Sequence, residues 1–201
     1  SDFGVKVVTE MNRLGMMIDI SHASDQSFYD VIKLSKAPVI ASHSCARALC
    51  NNPRNLTDDM LRALAANNGV VQMCILSDYV KKSPPNPERD SARQALRKKY
   101  NNFQDLKDEQ WEAVNAEWHS IDTKYPQVQA TVSDVVDHID HMVKVAGIDH
   151  VGIGADFDGG GGVADCKDVS QMGNITLELV KRGYSKKDIE KIWGGNLMRV
   201  M

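Results

Sequence analysis

Residues 15–24, GMMIDISHAS, and residues 37–46, APVIASHSCA, share one pattern: a short apolar run gives way to small polar residues around a single histidine. Runs that are apolar nearly throughout are what strands covered on both faces require. His22 and His43 therefore sit just past the ends of two consecutive strands, as residues do at the C-terminal mouth of a β/α barrel. Side chains leaving adjacent parallel strands at the same end converge, so two imidazoles there can share one metal ion or one substrate. Residues 150–162, HVGIGADFDGGGG, bring Asp156 and Asp158 to an equivalent position.

Working outward, the same reading predicts four buried parallel strands, at about 16–20, 38–42, 70–75 and 150–155. Helical patterns fall between them. Residues 2–14 place Phe3, Val7, Met11 and Leu14 on one stripe, and residues 24–35 place Phe28, Val31, Ile32 and Leu34 on another. Ser24 is the expected N-cap of the second helix. Thr57 caps the next, with Asp58 and Asp59 in its first turn and Met60, Leu61 and Leu64 facing inward. Residues 131–146 form an amphipathic helix ended by Gly147, and two more helices follow near 168–182 and 186–200. Strands alternating with helices imply right-handed βαβ units and a parallel sheet. Residues 81–127, opening KKSPPNPERD and carrying Trp111 and Trp118, break this rhythm and are expected to form a helical insertion. Four strands fall short of a closed eight-stranded barrel, which needs about 250 residues. The chain is thus expected to be either half of a larger barrel or part of an open sheet, starting mid-domain.

The 201 residues are 42% hydrophobic and 25% charged, with a formal net charge of -3. That balance provides no long-range field to gather nucleic acid or an anionic membrane. No run approaches the roughly 18 apolar residues of a membrane span. Four cysteines, Cys45, Cys50, Cys74 and Cys166, are too scattered for a disulfide framework and form no C-x-x-C pair. Cys45 and Cys50 flank the possible site, where simple burial competes with reactivity. The compartment is left unassigned.

At these residues the sequence resembles the C-terminal half of the membrane dipeptidase (renal dipeptidase) family of zinc peptidases. The carrying segments, in the family's order, are GMMIDISHAS, residues 36–61 (KAPVIASHSCARALCNNPRNLTDDML), residues 137–159 (DHIDHMVKVAGIDHVGIGADFDG) and the closing GGNLMRVM. They cover most of the chain outside the insertion. The resemblance implies an α/β fold: the C-terminal half of a TIM-like (β/α)8 barrel, with four parallel strands, flanking helices and a helical insertion. On that basis residues 1–201 are a single partial barrel domain, interrupted at about 81–127. It implies two Zn2+ ions at the barrel mouth, with His22 and His43 as metal ligands. Arg54 matches the arginine that grips the substrate's terminal carboxylate, and Asp156 the catalytic and substrate-binding aspartate near the scissile bond. Tyr79 falls where family members place a substrate-contacting tyrosine, although MCILSDY departs from the Asn-Phe-Tyr-like strand end of the family. The family's H-x-D pair, bridging glutamate and a further histidine belong to earlier strands, and no such elements occur within these residues.

The implied reaction is zinc-dependent hydrolysis of dipeptides with a free C-terminal carboxylate, this chain being an incomplete and inactive portion. Its implied partners are the dipeptide, the missing N-terminal half and, in the intact protein, further copies of itself. Two alternatives remain: a barrel amidohydrolase acting on a non-peptide amide or lactam, and a non-catalytic half-barrel that serves as an assembly module. Open sheet edges and an uncovered apolar face would drive such a half-barrel to associate. The glycines at 159–162 are expected either to let their loop approach a substrate or to serve as plain turn material. Asp134, Asp137, His138 and His141 share a helical spacing that could line a metal-binding face, but capping and ion pairing weigh more in an outer-ring helix whose Val135, Ile139 and Met142 stripe lies opposite.

Overall fold

Branched apolar residues suit a pleated surface better than a helix, and the four Val- and Ile-containing runs do form strands. The computed structural model describes residues 1–201. Helix α1 (Asp2–Leu14) leads to β1 (Ile18–Asp19), α2 (Asp25–Leu34), β2 (Val39–Ser44), α3 (Asp58–Ala66), β3 (Val70–Cys74) and the short α4 (Ser77–Val80). After α5 (Pro87–Lys99) and α6 (Asp108–Lys124) come α7 (Val132–Ala146), β4 (Val151–Ala155), α8 (Gly173–Lys181), α9 (Lys186–Glu190) and α10 (Asn196–Val200). The strands make one parallel sheet in the order β1-β2-β3-β4.

Helix ends follow local chemistry. Ser24, Thr57 and Thr131 each accept a hydrogen bond from a first-turn N–H, and Thr131 shares a reciprocal capping box with Asp134. Gly147 ends α7 with φ 93°, a left-handed value that disfavours side chains. The last helical segment is not continuous: a π-helical turn over Lys191–Gly195 separates α9 from α10.

Chain units Ser1–Lys82 and Gln129–Met201 form one compact body, and Ser83–Val128 another. In the first, α1 packs on α2, α2 on α3, α3 on α7 and α7 on α8. Beneath them Phe28, Leu61, Leu64, Val71, Met73, Ile139, Met142 and Ile175 are fully buried in one core. In the second, Leu96 and Val114 are buried between α5 and α6. Phe103 lies 6.0 and 6.1 Å from the Trp111 and Trp118 rings, and Arg93 stacks 4.5 Å over Trp118 while pairing with Asp122.

Three sequence-based expectations change. β1 pairs over only two residues, and Met16 and Met17 before it are exposed. The α1 stripe is covered only in part: Val8 is that helix's single buried residue and Met11 packs against the core, whereas Phe3 is 76% exposed and Leu14 54%. A groove of about 630 Å³ runs between α1 and α2, lined by Phe3, Val7, Met11, Val31 and Leu34. His138, expected on a polar face, is buried. It accepts the Ala46 N–H on Nδ1 at 3.0 Å and donates from Nε2 to the Val80 carbonyl at 2.8 Å. Those two partners come from other elements, which is what draws a polar side chain inward.

β4 reaches the histidines because it is built from glycine. A Cβ at Gly154 would lie 2.0 Å from the Ser42 carbonyl oxygen, so only glycine allows β4 so close to β2 at this level. The ladder slips between Ala41 and Ser44 in β2, and again between Met73 and Cys74 against β4. Both irregularities fall at the end of the sheet where the candidate site lies.

Candidate functional site

The sheet brings all five sequence-predicted site residues together. His22 follows β1, His43 ends β2, and their Nε2 atoms face each other at 2.8 Å. The rings are tilted by 58° with centroids 4.9 Å apart. Arg54 places a guanidinium nitrogen 3.3 Å from His43 Nε2, and its Cζ lies 5.5 Å over the Tyr79 ring. Asp156, just past β4, places Oδ2 4.0 Å from His43 Nε2. Asp158 is exposed.

Each side chain has a local support. Asp156 sits at φ 74° after Ala155 at φ 45°, two successive residues in a region non-glycine residues rarely adopt. The following glycines pack onto it: Gly159 and Gly161 both donate to the Asp156 carbonyl. A Cβ on Gly159 would lie 2.3 Å from Asp156 Oδ1, and one on Gly161 2.4 Å from the Asp156 carbonyl oxygen. The glycine run thus serves a close approach to Asp156 itself.

Arg54 lies in a turn held from both sides. Its N–H donates to Asn52 Oδ1, and buried Asn55 donates to the carbonyls of Cys50 and Tyr79. Arg47 donates to the Asn55 and Pro53 carbonyls while gripping Asp25 with two bonds of 2.6 and 2.7 Å.

Sequence reasoning missed Asn55 and the pair Asp19 and Ser42. Asp19 Oδ1 accepts the Ser21 and Ser42 N–H groups, and its Oδ2 accepts the Ser42 hydroxyl, which also lies 2.8 Å from His43 Nδ1. Burial works to raise the Asp19 carboxyl, but the Ser42 and Ser21 hydrogen bonds overcome it and hold it below the ordinary carboxylate value. The clue was GMMIDISHAS itself, since a carboxylate inside an apolar strand requires partners.

The cysteines beside the site are structural. Burial raises the Cys45 and Cys50 thiols. Cys45 donates to the Cys74 carbonyl at 3.3 Å, and Cys50 to the Asp78 carbonyl at 3.7 Å. On α7, Asp134 pairs with Lys81, Asp137 and Asp140 with Arg182, and His141 with Asp58, as expected of capping and ion-pairing residues.

Two imidazole nitrogens at 2.8 Å cannot both present lone pairs without a shared proton or cation between their charges. Imidazole is an appropriate zinc donor, but catalytic zinc usually has three protein ligands. No group of three or more His, Cys, Asp or Glu in the chain is arranged to hold an ion. The donor chemistry therefore fits zinc as part of a ligand set.

Comparisons with known proteins place the chain in a family. The sequence pattern of the membrane dipeptidase family (peptidase family M19) matches residues 1–201. An uncharacterized dipeptidase of Schizosaccharomyces pombe is 35% identical over 202 residues, covering 100% of this chain and 38% of its own length. The crystal structure of the probable dipeptidase PvdM from Pseudomonas aeruginosa superposes with a TM-score of 0.80 at 35% identity, covering 100% of this chain and 53% of that one. A metallopeptidase from Rhodobacter sphaeroides, solved with a phosphinate mimic of the dipeptide L-Ala-D-Ala, superposes at 0.74 with 25% identity, covering 100% and 47%. This chain spans about half the length of those solved relatives, and its four parallel strands with flanking helices are consistent with half of their barrel.

Proposed function

Because this chain belongs to the membrane dipeptidase family, peptidase family M19, we propose that it is part of a zinc-dependent dipeptidase acting on dipeptides with a free C-terminal carboxylate. The observation that carries this reading is the meeting of His22, His43, Arg54 and Asp156 at one end of the sheet. His22 and His43 are zinc ligands, Arg54 and Tyr79 bind substrate, and Asp156 receives the substrate's amino end and handles protons at the reacting centre.

When bound, a zinc pair polarises the peptide carbonyl and supplies hydroxide at neutral pH. The side chains of this chain do the rest. Guanidinium offers a planar fork that matches a carboxylate, and stacking on Tyr79 holds that fork in place. A longer peptide has no carboxylate at this distance, so Arg54 selects for length. An ionised Asp156 accepts hydrogen bonds only, which suits an ammonium group.

Two imidazoles leave ligands to be found. We assign them to residues outside these 201, from the other half of a barrel about twice as long, which makes this chain silent by itself. The exposed apolar stripe of α1 favours one second reading, a half-barrel whose task is assembly.

The test is zinc content by elemental analysis, for this chain and for a His22→Ala, His43→Ala double variant, each alone and co-expressed with the first half of the PvdM barrel. Little zinc alone, a loaded pair after complementation with hydrolysis of L-Ala-D-Ala, and loss of both in the double variant is the expected result. Zinc loading indifferent to the two histidines would overturn the ligand assignment.

A further inference from the structure

We propose that Asp19 is a positioning residue that fixes the tautomer of His43 through the Ser42 hydroxyl, so that the His43 Nε2 lone pair faces His22 and Arg54. Asp19 Oδ2 accepts the Ser42 hydroxyl at 2.5 Å. A serine has one hydroxyl proton. With that proton directed at the carboxylate, Ser42 Oγ is left only to accept. His43 Nδ1, 2.8 Å away, must then be the donor, and a neutral imidazole protonated at Nδ1 carries its lone pair on Nε2.

Two further contacts agree. The Arg54 nitrogen 3.3 Å from His43 Nε2 can only donate, so it requires an acceptor there. Ser21 Oγ accepts the His43 N–H at 3.0 Å and lies 3.3 Å from Ser42 Oγ, where it can fill that oxygen's second lone pair. The ring is thereby held by its own backbone and by its far nitrogen.

The direction of the relay is set by the backbone. Asp19 Oδ1 accepts N–H groups from Ser21 and Ser42, each at 3.0 Å. In Asp19→Asn those two donors require the amide oxygen in the Oδ1 place, which turns the NH2 group toward Ser42 Oγ. Ser42 must then donate to His43 Nδ1, and the imidazole proton moves to Nε2, in the path of any ion. The tautomer stands on hydrogen bonds alone. Its consequence for metal binding rests on the proposed role of His43 as a zinc ligand.

The test is long-range 15N–1H correlation NMR of the imidazoles in the full chain, for wild type, Asp19→Asn, Ser42→Ala and Ser42→Thr. Zn2+ is then titrated into the millimolar range while His43 is followed. Wild type and Ser42→Thr should show Nδ1–H, Asp19→Asn should show Nε2–H, and Ser42→Ala should drift toward Nε2–H. Zinc affinity should fall roughly 10- to 100-fold in Asp19→Asn, as for other outer partners of metal-binding histidines, and hold in Ser42→Thr. Nε2–H in the wild type, or Nδ1–H kept in Asp19→Asn, overturns the relay. If Asp19→Asn does not fold, an unchanged tautomer in Ser42→Ala overturns it instead. A tautomer that switches while zinc affinity holds sustains the relay and removes His43 from the ligand set.

Discussion

Asn55 donates its side-chain amide to the Tyr79 carbonyl at 2.8 Å, tying the turn that carries Arg54 to the helix that carries Tyr79. The same amide group donates to the Cys50 carbonyl at 2.8 Å. Asn55→Ala strands the Tyr79 carbonyl, while the Cys50 carbonyl keeps the Asn52 N–H at 2.7 Å, a loss of about 1–3 kcal/mol in urea unfolding. Asn55→Asp should be worse, because it turns a carboxylate toward two carbonyl oxygens. Unchanged unfolding midpoints in both variants would show that the turn is held elsewhere.

Arg54→Ala should lower kcat/KM for a dipeptide by roughly 10- to 100-fold in the complemented enzyme, the worth of a charged hydrogen-bonded pair. An amidated dipeptide should lose almost nothing further. Equal losses on both substrates would point to an amidohydrolase that does not read a carboxylate.

Gly159→Ala and Gly161→Ala should part company. The first presses on the Asp156 side chain, which can swing away, and the second on the Asp156 backbone, which cannot. Gly159→Ala is expected to fold normally but bind a phosphinate dipeptide mimic weakly. Gly161→Ala is expected to lose about 1–3 kcal/mol of stability, the usual range for overpacking. Thermal unfolding beside calorimetric binding reads the two apart.

His138 makes stability depend on pH. Burial lowers its affinity for a proton, His141 adds to that, and the Val80 hydrogen bond with Asp137 and Asp134 opposes it. The unfolded chain, near 6.5 for histidine, therefore binds that proton first. Above about pH 6.5 the contribution is fully present, and it is lost as pH falls toward the depressed value of the folded state. Urea titrations should give lower stability at pH 5.5 than at 7.5, and a smaller difference in His138→Asn.

The exposed face of α1, with Phe3, Val7 and Leu14 uncovered, should drive self-association of the isolated chain. Sedimentation velocity should show concentration-dependent oligomers that Phe3→Lys with Leu14→Lys disperses. A compact monomer at all concentrations would count against both the association and the need for a second half.

What could be read from sequence was what local rules govern. Ser24, Thr57 and Gly147 cap helices through neighbours three or four residues away, so their roles lie open in the chain. His22, His43 and Asp156 were found because strand ends in parallel sheets share one side. Arg54 and Tyr79 lie in turns without period, and only a family resemblance marked them. The bonds between Asp19 and Ser42 depend on how β1 registers against β2, with Asp19 opposite Ile40, and no window of sequence contains that. Periodicity likewise groups Phe3 with Val7 and Leu14 but does not say whether anything covers them. His138 shares a spacing with three polar neighbours, yet the Ala46 and Val80 backbone groups that bury it come from distant segments.

The two-residue strand β1 has little sheet of its own to keep its alignment. A slip by one residue would turn Asp19 to the opposite face and separate it from the Ser42 N–H and hydroxyl. The carboxylate therefore works as a latch on the edge strand: wherever the three bonds from Ser21 and Ser42 are closed, His22 has been delivered in step with His43. A misaligned β1 would leave the latch open and the histidines out of reach of each other, so correct assembly of this edge and competence of the site are one event.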